Sequence, residues 1–140
     1  WAKWWSRASM WLPYWKHRKI LMSIYKGECE SKYEILSQYK FSLCFENMSM
    51  KGYVTEKIFD CFYAGTVPLY LGATDILDLI PEAAYIDCRR FGSWREIQEF
   101  VGQITAEQLH EMRSAGRAFL SSTQGMKYYD ALANIFGSTS

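Results

Sequence analysis

The chain has little of the residues that mark most specialised sites. Its 140 residues include only four cysteines, two histidines and three prolines. Cys29, Cys44, Cys61 and Cys88 are far apart and form no C-x-x-C pair. The tight ligand spacing of a zinc site is therefore missing. No apolar run reaches about 18 residues, so no membrane-spanning helix is expected. No basic, apolar and small-residue leader pattern is visible. The sequence starts with Trp1 instead of Met, which reads as a processed product or an excised piece. Charge of neither sign dominates, the formal net charge being +1. Nothing in that balance suggests a nucleic-acid partner. The two commonest phosphate fingerprints, G-x-G-x-x-G and G-x-x-x-x-G-K-[ST], do not occur. There is no internal repeat and no low-complexity tract.

What is present is a globular composition, 49% hydrophobic and 17% aromatic. A chain of this length forms one domain and can bury roughly two thirds of its unfolded surface. Residues 1–20 hold five of the six tryptophans and the basic cluster Lys16, His17, Arg18 and Lys19. Aromatic and basic residues together suit a membrane interface or nucleic acid. The plainer reading is a connector whose aromatics pack on a neighbouring domain, because Pro13 breaks the segment and no amphipathic period runs through it. The expected organisation is a connector at 1–24 and a domain at 25–140.

The domain reads as α/β. Ser31 and Glu34 have capping-box spacing, so a short helix starts there. Phe41, Leu43 and Phe45 alternate with the smaller Ser42 and Cys44, a strand that could be covered on both faces, as in a parallel sheet. Cys44 and Cys61 lie in apolar runs and read as small core residues. From Val54 the period becomes helical through Ile58, Phe59 and Phe62, and Gly65 supplies the C-cap. A second strand follows at 67–71, with Pro68 near its start. A short strand is expected at 84–86. Ser93 with Glu96, and Thr105 with Gln108, open two further capped helices. A last helix carries Tyr128, Tyr129, Leu132, Ile135 and Phe136, and residues 137–140 read as a frayed tail.

Strand, polar loop, helix and strand in succession build a ligand site at the carboxyl ends of the strands. The helix beginning near Val54 or Thr55 offers free N–H groups and a positive dipole end, which attract phosphate. Lys57 adds a full positive charge in the first turn. Asn47 can bond phosphate or hydroxyl oxygens from the loop. Glu56 would repel phosphate but can accept hydrogens from a ribose diol. Gly52 lets the backbone turn. Tyr53 offers a flat face and a hydroxyl. Each has a plainer role: Glu56 complements the helix dipole, Lys57 is a solvated charge, Tyr53 is core, and Asn47-Met48-Ser49 is a glycosylation sequon.

The residues Tyr39-Lys40-Phe41, Phe45-Glu46-Asn47, Tyr53-Val54-Thr55-Glu56-Lys57, Gly65-Thr66-Val67-Pro68 and Gly72 resemble the donor-site motif of the α1,3-fucosyltransferases. The similarity continues more weakly through Pro81, Tyr85-Ile86-Asp87 and Phe91, and upstream through Tyr25-Lys26-Gly27 and Ser31-Lys32. It covers about residues 25–102. It implies the C-terminal half of a GT-B glycosyltransferase, a Rossmann-like parallel sheet with flanking helices that binds GDP-fucose. By resemblance, Glu56 would hold the ribose hydroxyls, Lys57 and Asn47 the diphosphate, and Tyr53 would contact the donor. The donor is a substrate, and no separate cofactor is implied. The reaction would invert the anomeric carbon as a carboxylate takes a proton from an acceptor hydroxyl, on an N-acetylglucosamine- or glucose-containing glycan.

The resemblance also implies that the acceptor domain, with the catalytic base, would precede residue 1. No catalytic residue is assigned, and this chain by itself is expected to be inactive. Two other readings stay open: a non-catalytic GDP-sugar-binding remnant, and an interaction module docking through its aromatic N-terminus. The expected location is the cytoplasm near a membrane surface, with the Golgi lumen as the alternative.

Overall fold

The computed structural model describes residues 31–136. The chain divides into the units Trp1–Glu30 and Ser31–Ser140. The aromatic and basic connector, Cys29 and the tail at 137–140 lie outside the described residues.

The capping signals produce helices where they stand. Ser31 accepts from the Glu34 N–H and starts α1, Lys32–Ser37. The alternating run forms β1, Phe41–Phe45. After a loop, α2 runs Glu56–Ala64 with Thr55 as N-cap, and Gly65 ends it in the left-handed conformation at φ 73°. Only glycine enters that region without a Cβ penalty. Strand β2, Val67–Leu71, follows at once. The short helix α3, Ile76–Leu79, and a 3-10 turn, Glu82–Ala84, lead to β3, Ile86–Asp87. The strand expected at 84–86 thus starts later, because residues 82–84 turn before pairing begins. A second 3-10 turn, Cys88–Arg90, precedes three helices: α4, Trp94–Gln103; α5, Ala106–Leu120; and α6, Thr123–Phe136.

The three strands form a parallel sheet in the order β1-β2-β3. Pro68 pairs opposite Ser42, while β3 first meets β2 at Leu69. The missing proline N–H therefore falls where no third strand is waiting for it.

Cys44 and Tyr70 lie under α2 and belong to a core with Ile58, Phe59, Cys61, Phe62 and Phe119. Phe62 meets Phe119 edge to face at 6.2 Å, and Tyr128 of α6 lies 6.3 Å from Phe59. Val67, Leu69 and Ile86 form a second cluster with Ile97 of α4 and Leu109 of α5. Burial of each such large side chain contributes about 1.5–3 kcal/mol.

The cysteines read as core residues are buried and free. A hydrogen bond with Cys61, together with burial, pushes the Cys44 thiol up. One expectation is corrected. β1 is not covered on both faces: Leu43 is 57% and Phe45 42% exposed. As an edge strand of the described sheet, β1 has α2 over Cys44, while helices α4 and α5 pack nearer β2 and β3.

Candidate functional site

Parallel strands direct all their carboxyl ends to one edge of the sheet, and there residues 46–55 join β1 to α2. Thr55, the residue before α2, has extended backbone and makes no side-chain cap. The first turn of α2 therefore presents its N–H groups and the positive end of its dipole uncapped by a side chain.

Lys57 reaches back from that first turn to the end of β1. Its Nζ donates to the Phe45 carbonyl at 3.0 Å, to Asn47 Oδ1 at 3.3 Å and to Glu46 Oε2 at 3.4 Å. A lysine ammonium has three N–H donors, so each has one acceptor. With its oxygen toward Lys57, the Asn47 amide has its NH2 group available as a further donor; this orientation follows from matching donors to acceptors. Ammonium, amide N–H and helix end together form a donor-rich mouth suited to an anion.

Glu46 is the buried anchor behind this mouth. Its side chain has no exposed surface, whereas that of Lys57 is 34% exposed. Glu46 Oε1 accepts from the Thr55 N–H at 2.9 Å, and Oε2 accepts from the Thr55 hydroxyl at 2.7 Å. Gly72 is close: a Cβ there would lie 2.5 Å from Glu46 Cγ and 2.5 Å from the Tyr70 hydroxyl. That hydroxyl accepts from the Ala73 N–H at 2.9 Å, and burial pushes the Tyr70 phenol up to about 12.

The loop is fastened to the turn after β2. The Ser49 hydroxyl donates to the Gly72 carbonyl at 3.0 Å, and the Gly52 N–H donates to Asp75 Oδ1 at 2.8 Å. Gly52 holds φ at 72°, a left-handed turn that suits glycine. From the far side, Arg89 grips Asp87 through Nε and Nη2 and donates from Nη1 to the Thr74 carbonyl at 3.3 Å. Burial raises the Asp87 pKa, but hydrogen bonds and charge from Arg89 outweigh it and hold the carboxyl below its usual range.

Of the four residues singled out from the sequence, Asn47 and Lys57 touch. Tyr53 lies half-buried in the loop two residues before the N-cap, its backbone N–H bonded to the Met50 carbonyl at 3.2 Å. Glu56 is the exposed first residue of α2, and its electrostatic neighbour is Lys32 on α1. Neither of these two bonds the Asn47–Lys57 pair. Glu46 and Thr55 lie within the motif quoted from the sequence but were given no individual role there, and Asp75 was not singled out. A polar residue directly after an apolar strand was the available signal for Glu46, but it does not show burial.

The family model described as Glycosyltransferase family 10 (fucosyltransferase) C-term matches residues 16–113. An alpha-(1,4)-fucosyltransferase of Arabidopsis thaliana is 41% identical over 69 residues, covering 49% of this chain and 17% of that protein. The alpha-(1,3)-fucosyltransferase FucT of Helicobacter pylori is 38% identical over 72 residues, covering 51% of this chain and 15% of that one. A solved alpha1,3-fucosyltransferase with GDP-fucose superposes with a TM-score of 0.58 at 31% identity, covering 63% of this chain and 27% of that one. The chain thus spans about a sixth of the curated relatives it matches. The family match extends over well more than half of the present sequence, and the sheet agrees with it: the chain belongs to glycosyltransferase family 10, the fucosyltransferases.

Proposed function

We propose that this chain binds GDP-fucose and is the donor-binding part of an inverting α1,3-fucosyltransferase that modifies a glycan hydroxyl. The observation that carries the reading is the meeting of Lys57, Asn47 and the uncapped first turn of α2 at the carboxyl edge of β1 and β2. In this reading the diphosphate lies across that mouth. Lys57 and the Asn47 amide N–H bind its oxygens, and the helix end adds its dipole. Glu56 accepts the ribose hydroxyl hydrogens from the outer side of the same turn, and Tyr53 lies against the donor. When the bond to fucose breaks, negative charge grows on the departing GDP. Donors already aimed at the diphosphate stabilise that charge without reorganisation. An acceptor hydroxyl attacks from the face opposite GDP, which inverts the anomeric carbon, and gives up its proton to a carboxylate.

Relatives matching over similar lengths are named for α1,4-, α1,3- and protein O-fucosyl transfer. The common feature of those names is the fucosyl group, which favours a donor role for the shared segment. Calorimetric titration tests the reading. GDP and GDP-fucose are expected to bind more tightly than UDP-galactose; equal or tighter binding of UDP-galactose would sink it.

A further inference from the structure

We propose that Glu46 is a positioning residue of this site: a buried carboxylate that aims the Lys57 ammonium and keeps the first turn of α2 open. The proposal rests on the reading that Lys57 meets the donor diphosphate.

Its first support is the burial itself. A carboxylate without exposed surface is costly unless its oxygens are bonded. Both are bonded, and every partner belongs to the start of α2: the Thr55 N–H, the Thr55 hydroxyl and the Lys57 ammonium. The second support is the behaviour of the N-cap. Ser31, Ser93 and Thr105 each accept a first-turn N–H in the usual way. Thr55 does not; its hydroxyl turns instead to Glu46, to which it donates at 2.7 Å. The third is space. A Cβ on Gly72 would lie 2.5 Å from Glu46 Cγ, so the seat of this side chain depends on glycine there.

The sign of the effect separates positioning from simple charge. A carboxylate near an anion site that acted only through its charge would repel the diphosphate. Neutralising it would then tighten GDP binding. A positioning carboxylate gives the opposite sign. In Glu46→Gln the new amide N–H2 must face donors, either the Thr55 hydroxyl and Lys57 or the Thr55 N–H. In either orientation Lys57 loses the negative charge that anchors it, and in the first the Thr55 hydroxyl becomes available to cap α2. Both changes weaken diphosphate binding and leave the nucleoside contacts alone.

The test titrates the full chain with GDP and with guanosine by calorimetry, alongside thermal unfolding. In Glu46→Gln, GDP affinity is expected to fall about tenfold, the size of a lost charge-assisted contact. Guanosine affinity should hold within about twofold. Unchanged or tighter GDP binding overturns the proposal. So does an equal loss for GDP and guanosine, which would make Glu46 a support of the fold alone. Thr55→Val keeps the shape of the cap and covers the case in which Glu46→Gln does not fold. Because valine cannot cap the turn, the variant tests only the aiming of Lys57 through Glu46: it should lower GDP affinity about threefold, again without affecting guanosine, and an unchanged ratio overturns the proposal. Lys57→Ala isolates the premise. If that variant leaves the GDP-to-guanosine ratio unchanged, the donor reading fails and this proposal falls with it. A selective Lys57→Ala loss beside an unselective Glu46→Gln effect overturns this proposal alone.

Discussion

Lys57 is satisfied before any ligand arrives. Its three donors already face the Phe45 carbonyl, Asn47 Oδ1 and Glu46 Oε2. A phosphate oxygen must therefore replace or share one of these partners. The Asn47 amide is the easiest to displace, since Asn47 is exposed while Glu46 is buried. Such pre-ordering lowers the side-chain entropy lost on binding. Lys57→Ala should weaken GDP about tenfold or more, a loss of roughly 1.5–3 kcal/mol for a charge-assisted contact, and weaken guanosine less. Glu56→Gln should preserve the fold and impair both ligands, because both carry the ribose. Calorimetry with GDP and guanosine checks both variants. Parent-like GDP binding in both would make these residues ordinary helix-surface charges.

At the scale of elements, α2 joins the site to the core. Its first turn carries Lys57, and its later turns bury Ile58, Phe59, Cys61 and Phe62. Helix α5 approaches it closely at Gly116. A Cβ there would lie 2.7 Å from Phe62 Cδ1, and the Phe62 ring is already against Phe119. Gly116→Ala should therefore force the two helices apart or push Phe62 off its rotamer. Alanine favours the helix by about 0.8–1 kcal/mol over glycine, while overpacking costs about 1–3 kcal/mol. The clash is with a buried ring, so the net expected effect is a lower urea-unfolding midpoint. An unchanged or higher midpoint would show that Phe62 has room to move. At the other end of the chain segment, Lys32 and Tyr33 of α1 bond Asp60 of α2 at 2.6 and 3.1 Å. The helix that carries Lys57 is thus held from two sides.

For the whole molecule, the property to account for is transfer itself. A proton acceptor for the attacking hydroxyl needs a carboxylate within hydrogen-bond reach and free to take the proton. Among the described residues near the site, Glu46 is bonded by Thr55 and Lys57, Asp75 by Gly52, Asp60 by Lys32 and Tyr33, and Asp87 by Arg89. Glu56 is exposed, and the donor reading assigns it to the ribose. The 140-residue chain assayed alone is expected to bind the donor and show negligible turnover, since the resemblance gives the catalytic base to another domain. Positioning and proton transfer each contribute several powers of ten in rate. The measurement is a product assay with GDP-fucose and N-acetyllactosamine, beside a two-domain relative at equal concentration. Turnover within about tenfold of that relative, ~1.4 kcal/mol in barrier, would show that this chain supplies its own base.

Much of the architecture was legible from local pattern. Caps at Ser31, Ser93 and Thr105, the αL glycine at 65 and the alternation at 41–45 each depend on a few neighbouring residues, so the sequence alone determined them. The closeness of Asn47 and Lys57 was legible for a related reason, since a parallel strand and the helix after it must bring their adjoining ends together. The short α3 and the late start of β3 were not, because neither carries a period long enough to read. Only the tertiary structure decided which face of β1 is covered, that the Glu46 carboxylate is buried, and that the Thr55 hydroxyl points away from its own helix. It also decided the ties from Ser49 to Gly72 and from Gly52 to Asp75. Those partners are 23 residues apart in the chain. A hydrogen bond forms only between groups that packing brings within reach, and that packing is a property of the assembled sheet and helices, not of any one stretch of sequence.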